Sequence, residues 1–407
     1  MMNRTLDILV AGAGIVGLTI AALLGKSGQR DRFSIRVVDA GERPRFDAQE
    51  DIALRVSAIS EGSSRLISSL GAWDTVIDAR AGPFREMRVW DASRRVEGPE
   101  TLRFDAAEFA LPELGFIVEN VLLQDALLRV LDGSSVSLTF QTPIESVRPA
   151  SSGRTEVEFA GGETVRTDLV IGADGVASPV RRHAKIAVTS WRYPQSAFVT
   201  HLAPERDHAE CAWQRFLPTG PLALLPLHDG RVSVVWSTTP EQAQEALAAD
   251  DEKLGALLTD ASDHVLGTLV ASGSRATFAL KAQYAARYVT PGIALIGDAA
   301  HNIHPLAGQG ANLGIADASL LAKVICDGVA AGEYPGDLSV LRRYERGRKG
   351  ANKTMLYFVD VLNRLFSSPS SPASALRGAG MRLFNSSGPV RKRAVAVALG
   401  LEHRSVL

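Results

Sequence analysis

Cysteine is scarce in this 407-residue chain. There are two, Cys211 and Cys326, far apart and without metal-ligand spacing. That excludes a disulfide framework, offers nothing for a zinc site and suits a reducing compartment. Basic runs are short as well. The longest is Val-Arg-Lys-Arg at 390–393, and the net charge is −1, so no nucleic-acid surface is expected. No stretch of about 18 uncharged apolar residues occurs, so no membrane-spanning helix is expected. The apolar N-terminal run leads straight into a glycine motif without a cleavage site and is not read as a signal peptide. Apolar residues make up 46% and charged residues 22%, an ordinary globular balance. The length asks for two domains or one elaborate domain. The expectation is a cytoplasmic protein, with peripheral membrane contact left open.

What is present begins with "LDILVAGAGIVGLTIAALLGKSG". Leu6 to Val10 reads as a buried strand and Ile15 to Leu24 as an apolar helix, with Gly28 beyond its end. Between them lie Gly12, Gly14 and Gly17, spaced G-x-G-x-x-G. Gly12 permits the turn, Gly14 lets a pyrophosphate approach the backbone, and Gly17 lets helix and strand pack closely. The helix start then offers unpaired N–H groups to phosphate. A second strand, "SIRVVDA", ends in Asp39, at the spacing expected of a ribose-hydroxyl acceptor. This half-motif serves NAD and FAD alike.

Further along, "TDLVIGADGVASPVRR" is a strand over 168–171 closed by Asp174-Gly175. Taken alone it is a turn. In "GFIVENVLLQDALLRVL" a strand leads into an amphipathic helix, with Asn120 at the expected N-cap, where it either caps the helix or reaches a cofactor. Residues 186–285 are β-rich, with His-Asp-Gly as the hairpin turn between "LALLPL" and "RVSVVWS" and a helical interruption over "EQAQEALAADDEKLGALLTD". This reads as an antiparallel sheet with one face free to cover a ligand. Its aromatic residues, Trp191, Trp213 and Trp236, are read as core.

The third strand-and-turn is "IALIGDAAH", ending in Gly297-Asp298, followed by "HPLAGQGANLGIADASLLAKVI". Gly308 and Gly310 form a loop whose N–H groups converge on one ligand. A helix is expected from Ala311 or Asn312 to near Ala330, its positive end suited to a ring that becomes anionic on reduction. His301 and His304 lack a third ligand, and Pro305 interrupts any helix between them. A metal site is not expected; packing or backbone hydrogen bonding is the default. In the C-terminal "GPVRKRAVAVALGLEHR" a packed helix is favoured over a membrane or partner contact.

Taken in order, Gly12-x-Gly14-x-x-Gly17, Asp174-Gly175, and Gly297-Asp298 with His304-Pro305-x-x-Gly308-x-Gly310-x-Asn312-x-Gly314 resemble the three signatures of the group A flavoprotein aromatic hydroxylases. "RVSAISEGSSRLISSLGAW", "GFIVEN" and "FLPTGPLALLPL" narrow the resemblance to the UbiH/UbiF/UbiI/VisC family of ubiquinone-biosynthesis hydroxylases. It spans nearly the whole chain.

The resemblance implies an α/β (α+β overall) architecture: a Rossmann-like FAD-binding domain (1–80, 116–185 and 286–334) interrupted by a β-sheet substrate domain (81–115 and 186–285), then C-terminal helices (335–407). It implies that Arg55 lies near the FAD adenosine and pyrophosphate. Asn120 would stand where many relatives carry Arg or Gln facing the cofactor. Asp174 and Gly175 would sit in the segment associated with cofactor and nicotinamide binding, and Asp298, after Gly297, would hold the ribityl chain. The backbone from Pro305 through Gly308, Gly310, Ala311 and Asn312 would line the flavin ring. The implied reaction is hydroxylation of a polyprenylated phenol, with NAD(P)H as co-substrate and O2 activated as a flavin C4a-hydroperoxide. A hydrophobic aromatic substrate and contact with other ubiquinone-biosynthesis proteins follow. No residue stands out as a general base. The alternatives are a hydroxylase of small aromatic acids or phenols, an NAD-linked dehydrogenase, and a flavin-bound component of a complex without turnover.

Overall fold

The computed structural model describes residues 6–150, 153–304, 308–366 and 371–401. Its organising element is a six-stranded sheet in the order Val289–Thr290, Ile293–Leu295, Leu169–Gly172, Leu6–Ala11, Phe33–Val38 and Ser137–Thr139. All neighbours are parallel except the first pair. Parallel strands covered on both faces read as continuous apolar runs rather than alternating ones. Ile8, Leu9 and Val10 are accordingly all buried, as are Leu169, Val170 and Ile171. The helices Ile15–Gly25, Asn120–Asp132 and Gln309–Ala330 pack into the same core.

A small sheet, Val56–Ser60, Gly115–Glu119 and Gly82–Phe84, lies beside this layer. Glycines 82 and 115 allow its close contacts: a Cβ at Gly115 would stand 2.3 Å from the Ile59 carbonyl oxygen.

The β-rich segment builds an eight-stranded sheet in the order His301–Asn302, Leu269–Ala285, Val188–Pro204, Val232–Thr238, Gly220–Pro226, Cys211–Leu217, Glu86–Asp91 and Leu102–Asp105. The His-Asp-Gly hairpin forms as expected, with Leu225 opposite Ser233 and Pro226 opposite Val232. The helical interruption is two helices, Pro240–Ala248 and Asp251–Ala261, each capped by a side chain, Thr239 and Asp250. They cover one face of the sheet through Ala243, Ala246, Leu254 and Leu258, packed with Phe198, Leu202, Leu222, Leu224, Val234 and Trp236. Side chains alternate across a strand. The opposite face therefore carries Ala197, Val199, His201, Ala223, Leu225, Ser233 and Val235. Most of these are small.

Long helices close the chain. Leu338–Phe366 carries Tyr344, whose hydroxyl donates to the Leu295 carbonyl at 2.8 Å. The terminal helix Pro389–Ala398 is packed, as favoured from sequence: Val395 and Leu399 join a cluster with Ile52, Phe84 and Leu111, and the Leu399 carbonyl accepts from Gly62 N–H. Among the described residues no helix is long and apolar enough to cross a membrane.

Candidate cofactor site

The site is built at the carboxyl edge of the parallel strands. Four adjacent strands, Ile293–Leu295, Leu169–Gly172, Leu6–Ala11 and Phe33–Val38, end there side by side. Their next residues are Gly297-Asp298, Asp174-Gly175, Gly12 to Gly14, and Asp39. Three segments far apart in sequence thus meet on one edge, where open parallel sheets place their ligands.

The glycines have separable roles. Gly12 has φ +105°, and a Cβ there would lie 2.4 Å from the Ala173 carbonyl oxygen. A Cβ at Gly17 would lie 1.9 Å from the Gly12 carbonyl oxygen. Both are required by the protein's own packing. Gly14, Gly175 and Gly310 differ, for an added Cβ at any of them meets nothing within 4 Å. These are places where the backbone is left open. Gly14 also begins the helix Ile15–Gly25, and neither this helix nor Gln309–Ala330 has a side-chain cap. The N–H groups of Ile15 and Val16 in the first and of Gly310 and Ala311 in the second suit an anion or a polarised carbonyl. This chemistry fits FAD, which carries both a diphosphate and a ring with a polar edge.

Asp39 Oδ2 accepts from Ala13 N–H at 2.6 Å and Oδ1 from Gly41 N–H at 2.7 Å, so the acid is fixed against the glycine loop. Asp174 is turned inward, where Oδ2 accepts from Val180 N–H at 2.9 Å and burial pushes its carboxyl up. Asp298 is exposed at the strand edge, between the buried Gly297 and Ala299, with protein atoms crowded round its carboxyl. Its enclosed position pushes the carboxyl up, while the charges of His301 and Arg55 pull it down. Arg55 itself is exposed, and among the described residues its guanidinium makes no hydrogen bond.

Several expectations need correction. Asn120 is not the N-cap; Glu119 occupies that position and Asn120 is the first helical residue. Its side-chain oxygen accepts from the Ser57 hydroxyl at 2.7 Å. The helix expected from Ala311 or Asn312 starts at Gln309, because Gly308 adopts φ +59° and lets the chain turn into it earlier. The Asn312 side chain is engaged by protein: Oδ1 accepts from Ser60 N–H at 3.0 Å and Nδ2 donates to the Ala58 carbonyl at 2.8 Å. It pins the helix start to the small sheet and leaves only its backbone facing the site. Ala311 follows Gly310 in the first turn. Pro305 lies outside the described residues.

His301 is packed, with its ring 5.9 Å from that of Tyr288, and it also pairs with a carboxylate. Its Nε2 lies 2.6 Å from Asp317 Oδ2, a carboxylate sixteen residues on and fully buried. Asp317 Oδ2 also accepts from Gly297 N–H at 3.2 Å, and Oδ1 accepts from Arg348 Nε at 2.6 Å and Asn352 Nδ2 at 2.9 Å. Burial opposes the charge on Asp317, but His301 and Arg348 outweigh it and hold the carboxyl at about 2. Among the described residues no three potential ligands gather into a metal site.

Two supporting residues escaped the sequence reading. The Arg181 guanidinium is buried and donates to the carbonyls of Ala299 and Val176, both at 2.8 Å. Gln283 Nε2 donates to the same Val176 carbonyl at 2.8 Å. They tie the Asp174-Gly175 turn to the Gly297-Asp298 turn. Arg181 lies seven residues after Asp174 and carries a signal of sorts in that basic segment; Gln283, inside a 17-residue strand, has none.

Three residues after His301, the His304 ring meets Tyr193 edge-on at 5.0 Å between centroids. Tyr193 donates to Asp360 Oδ1 at 2.9 Å. Burial holds His304 at about 4, below its unfolded value near 6.5. The unfolded chain then binds the extra proton, so this contribution to stability is complete above pH 6.5 and lost as pH falls towards 4. We expect up to roughly 3 kcal/mol over that window. It is measured as the difference in urea unfolding between wild type and His304→Gln; parallel pH profiles would contradict it.

The FAD binding domain family matches residues 5–358. The chain is 36% identical over 406 residues to the 3-demethoxyubiquinol 3-hydroxylase of Escherichia coli (strain K12), covering 98% of this chain and all of that protein. It is 35% identical over 437 residues to the mitochondrial ubiquinone biosynthesis monooxygenase COQ6 of Xenopus tropicalis, covering 96% and 93%. Among solved structures, P. aeruginosa PqsL in complex with 2-aminobenzoylacetate superposes with a TM-score of 0.75 over 93% of this chain, at 24% identity; that likeness is one of fold. With relatives so similar along nearly their whole length, the chain belongs to the ubiquinone-biosynthesis branch of the FAD-dependent monooxygenases.

Proposed function

We infer that this monooxygenase hydroxylates the aromatic ring of a polyprenylated phenol on the way to ubiquinone, with FAD as cofactor and NAD(P)H as co-substrate. The observation that carries the reading is the meeting of Gly14, Asp39, Asp174 and Asp298 on one sheet edge in a chain of this family. Bound there, FAD supplies the oxygen-activating redox chemistry; the protein's part is binding, orientation and exclusion of water.

Each residue has a share in that part. The N–H groups after Gly14 hold the diphosphate, and Asp39 accepts from ribose. Asp298 accepts from the ribityl hydroxyls, with Arg55 balancing its charge. The N–H groups from Gly308 to Asn312 would stabilise negative charge on the flavin ring. The eight-stranded sheet would cover the ring, and Ala197, Val199, Ala223 and Val235 on its inner face would leave room for a flat apolar substrate. On this reading the parallel-sheet layer is the cofactor domain and the large sheet the substrate domain. Among the described residues there is no second dinucleotide fold for the co-substrate, which approaches transiently. The prenyl tail argues for a site of action at the edge of a membrane or beside other enzymes of the pathway.

The test is NAD(P)H oxidation by the purified holoenzyme. Prenylated phenols should accelerate it at least tenfold over the substrate-free rate and yield a hydroxylated ring by mass spectrometry. Acceleration by benzoates alone would move the assignment to small aromatic acids. Yellow protein that no phenol makes reducible would mark a component without turnover.

A further inference from the structure

On the inner face of the eight-stranded sheet lies a row of polar side chains with nothing to bind. His201 stands directly opposite Ser233 on one neighbouring strand and Ser272 on the other. Residues paired in this way project from the same face. His201 and Ser233 are each 1% exposed. His201 Nε2, Ser233 Oγ and Ser272 Oγ are all buried without a hydrogen-bond partner among the described residues. Buried polar atoms are nearly always satisfied, because each one left alone keeps an uncompensated desolvation cost. Three in one cross-strand row call for a ligand.

The row looks towards the cofactor layer. Ser233 is paired with Leu225, and Leu225 packs in the cluster of Phe84 and Ile117 that also takes in Val56 and Ala58. Ala58 is the residue whose carbonyl holds Asn312 at the start of the helix Gln309–Ala330. Beside the polar row runs an apolar one, Val199 opposite Val235 and Val235 opposite Ala223. Outside it, Arg231 pairs with Asp51 of the segment leading to Arg55. Burial, helped by Arg231, lowers the His201 pKa, so the ring is neutral near pH 7 and offers a directional hydrogen bond rather than a charge.

We propose that His201, Ser233 and Ser272 form a polar subsite for the oxygen substituents of the substrate ring, while Val199, Ala223 and Val235 take its apolar face. The proposal rests on the reading of the protein as a phenol hydroxylase. It explains why these three neighbouring atoms on one face of the sheet stand unsatisfied: the partners arrive with the substrate.

The test uses holoenzyme and two short-chain prenylated phenols, one with a ring methoxy group and one with methyl in its place. Binding is read from the perturbation of the flavin absorbance, and KM and kcat from turnover. Wild type should bind the methoxy compound more tightly. Ser233→Ala combined with Ser272→Ala should raise its Kd and KM about tenfold, with kcat moving far less, and leave the methyl compound nearly unaffected. His201→Phe should do the same. Thermal unfolding of the apoprotein gives the second signature. Removing unsatisfied hydroxyls should leave the midpoint level or raise it, whereas hydroxyls that serve the fold would lower it on removal. Equal affinity of wild type for both phenols, or equal loss for both in the variants, overturns the subsite. Failure of wild type to oxidise NAD(P)H with either phenol, despite binding that discriminates between them, overturns the hydroxylase reading and leaves the subsite standing.

Discussion

Gly14→Ala should purify as a stable, folded protein that has lost most of its affinity for FAD. The backbone there has φ −73°, which alanine adopts freely, and the added methyl meets no protein atom within 4 Å. Nothing in the apoprotein resists it. The methyl stands instead where the diphosphate must approach the helix start. Losing one or two hydrogen bonds to a charged group costs about 1.5–3 kcal/mol each, a weakening of roughly 10- to 100-fold or more. Gly17→Ala, three residues on, should behave in the opposite way. Its methyl would sit 1.9 Å from the Gly12 carbonyl oxygen and 3.3 Å from Ala173 Cβ. Helix and strand would have to separate, and the cost should exceed about 4 kcal/mol, leaving little soluble protein. Flavin titration and apoprotein melting measured together decide the matter. Equal behaviour of the two variants would remove the distinction between a packing glycine and a ligand glycine.

Asp298→Ala is expected to come off a desalting column nearly colourless. The carboxyl is held among protein atoms but faces open space, and no protein donor satisfies it among the described hydrogen bonds. Its natural partners are the hydroxyls of a bound chain. Two charge-assisted bonds account for about 3–6 kcal/mol, well over a hundredfold in affinity. The apoprotein should lose no stability, since the substitution removes no hydrogen bond that the carboxyl makes to protein among the described residues. A variant that stays fully yellow would contradict the role given to Asp298.

The parts of this site that could be read in sequence are those fixed by local backbone geometry. G-x-G-x-x-G after a strand leaves few options, because each glycine answers a steric demand within six residues. The turns after Gly172 and Leu295 announce themselves in the same way. The antiparallel character of 186–285 was legible from the His-Asp-Gly hairpin, although the two 17-residue strands are broken by register shifts at Arg192/Ser196 and Thr200/His201 that blur their alternation. Roles set by tertiary partners were not legible. His301 owes its state to Asp317 and Arg348, and Asn312 is engaged by the backbone of a strand some 250 residues earlier. Asn120 looked like a cap because its residue type favours caps, yet the preceding glutamate takes the position and the asparagine turns to Ser57. The polar row on the large sheet was invisible for the same reason: His201, Ser233 and Ser272 become neighbours only once three strands are in register.

The order of strands in the parallel sheet bears on how the protein is made. Leu6–Ala11 emerges early from the ribosome, but its neighbour Leu169–Gly172 and the strand beyond it, Ile293–Leu295, come much later. At bacterial or eukaryotic synthesis speeds, roughly 15–60 s separate the first strand from the end of the helix at Ala330. The strand can pair with Phe33–Val38 early, but its other edge and the glycine turn lack Leu169–Gly172 and the Gly297-Asp298 turn until those are made. The complete flavin site can therefore assemble only after the last of these segments has been made, and until then the open edge of the first strand is exposed.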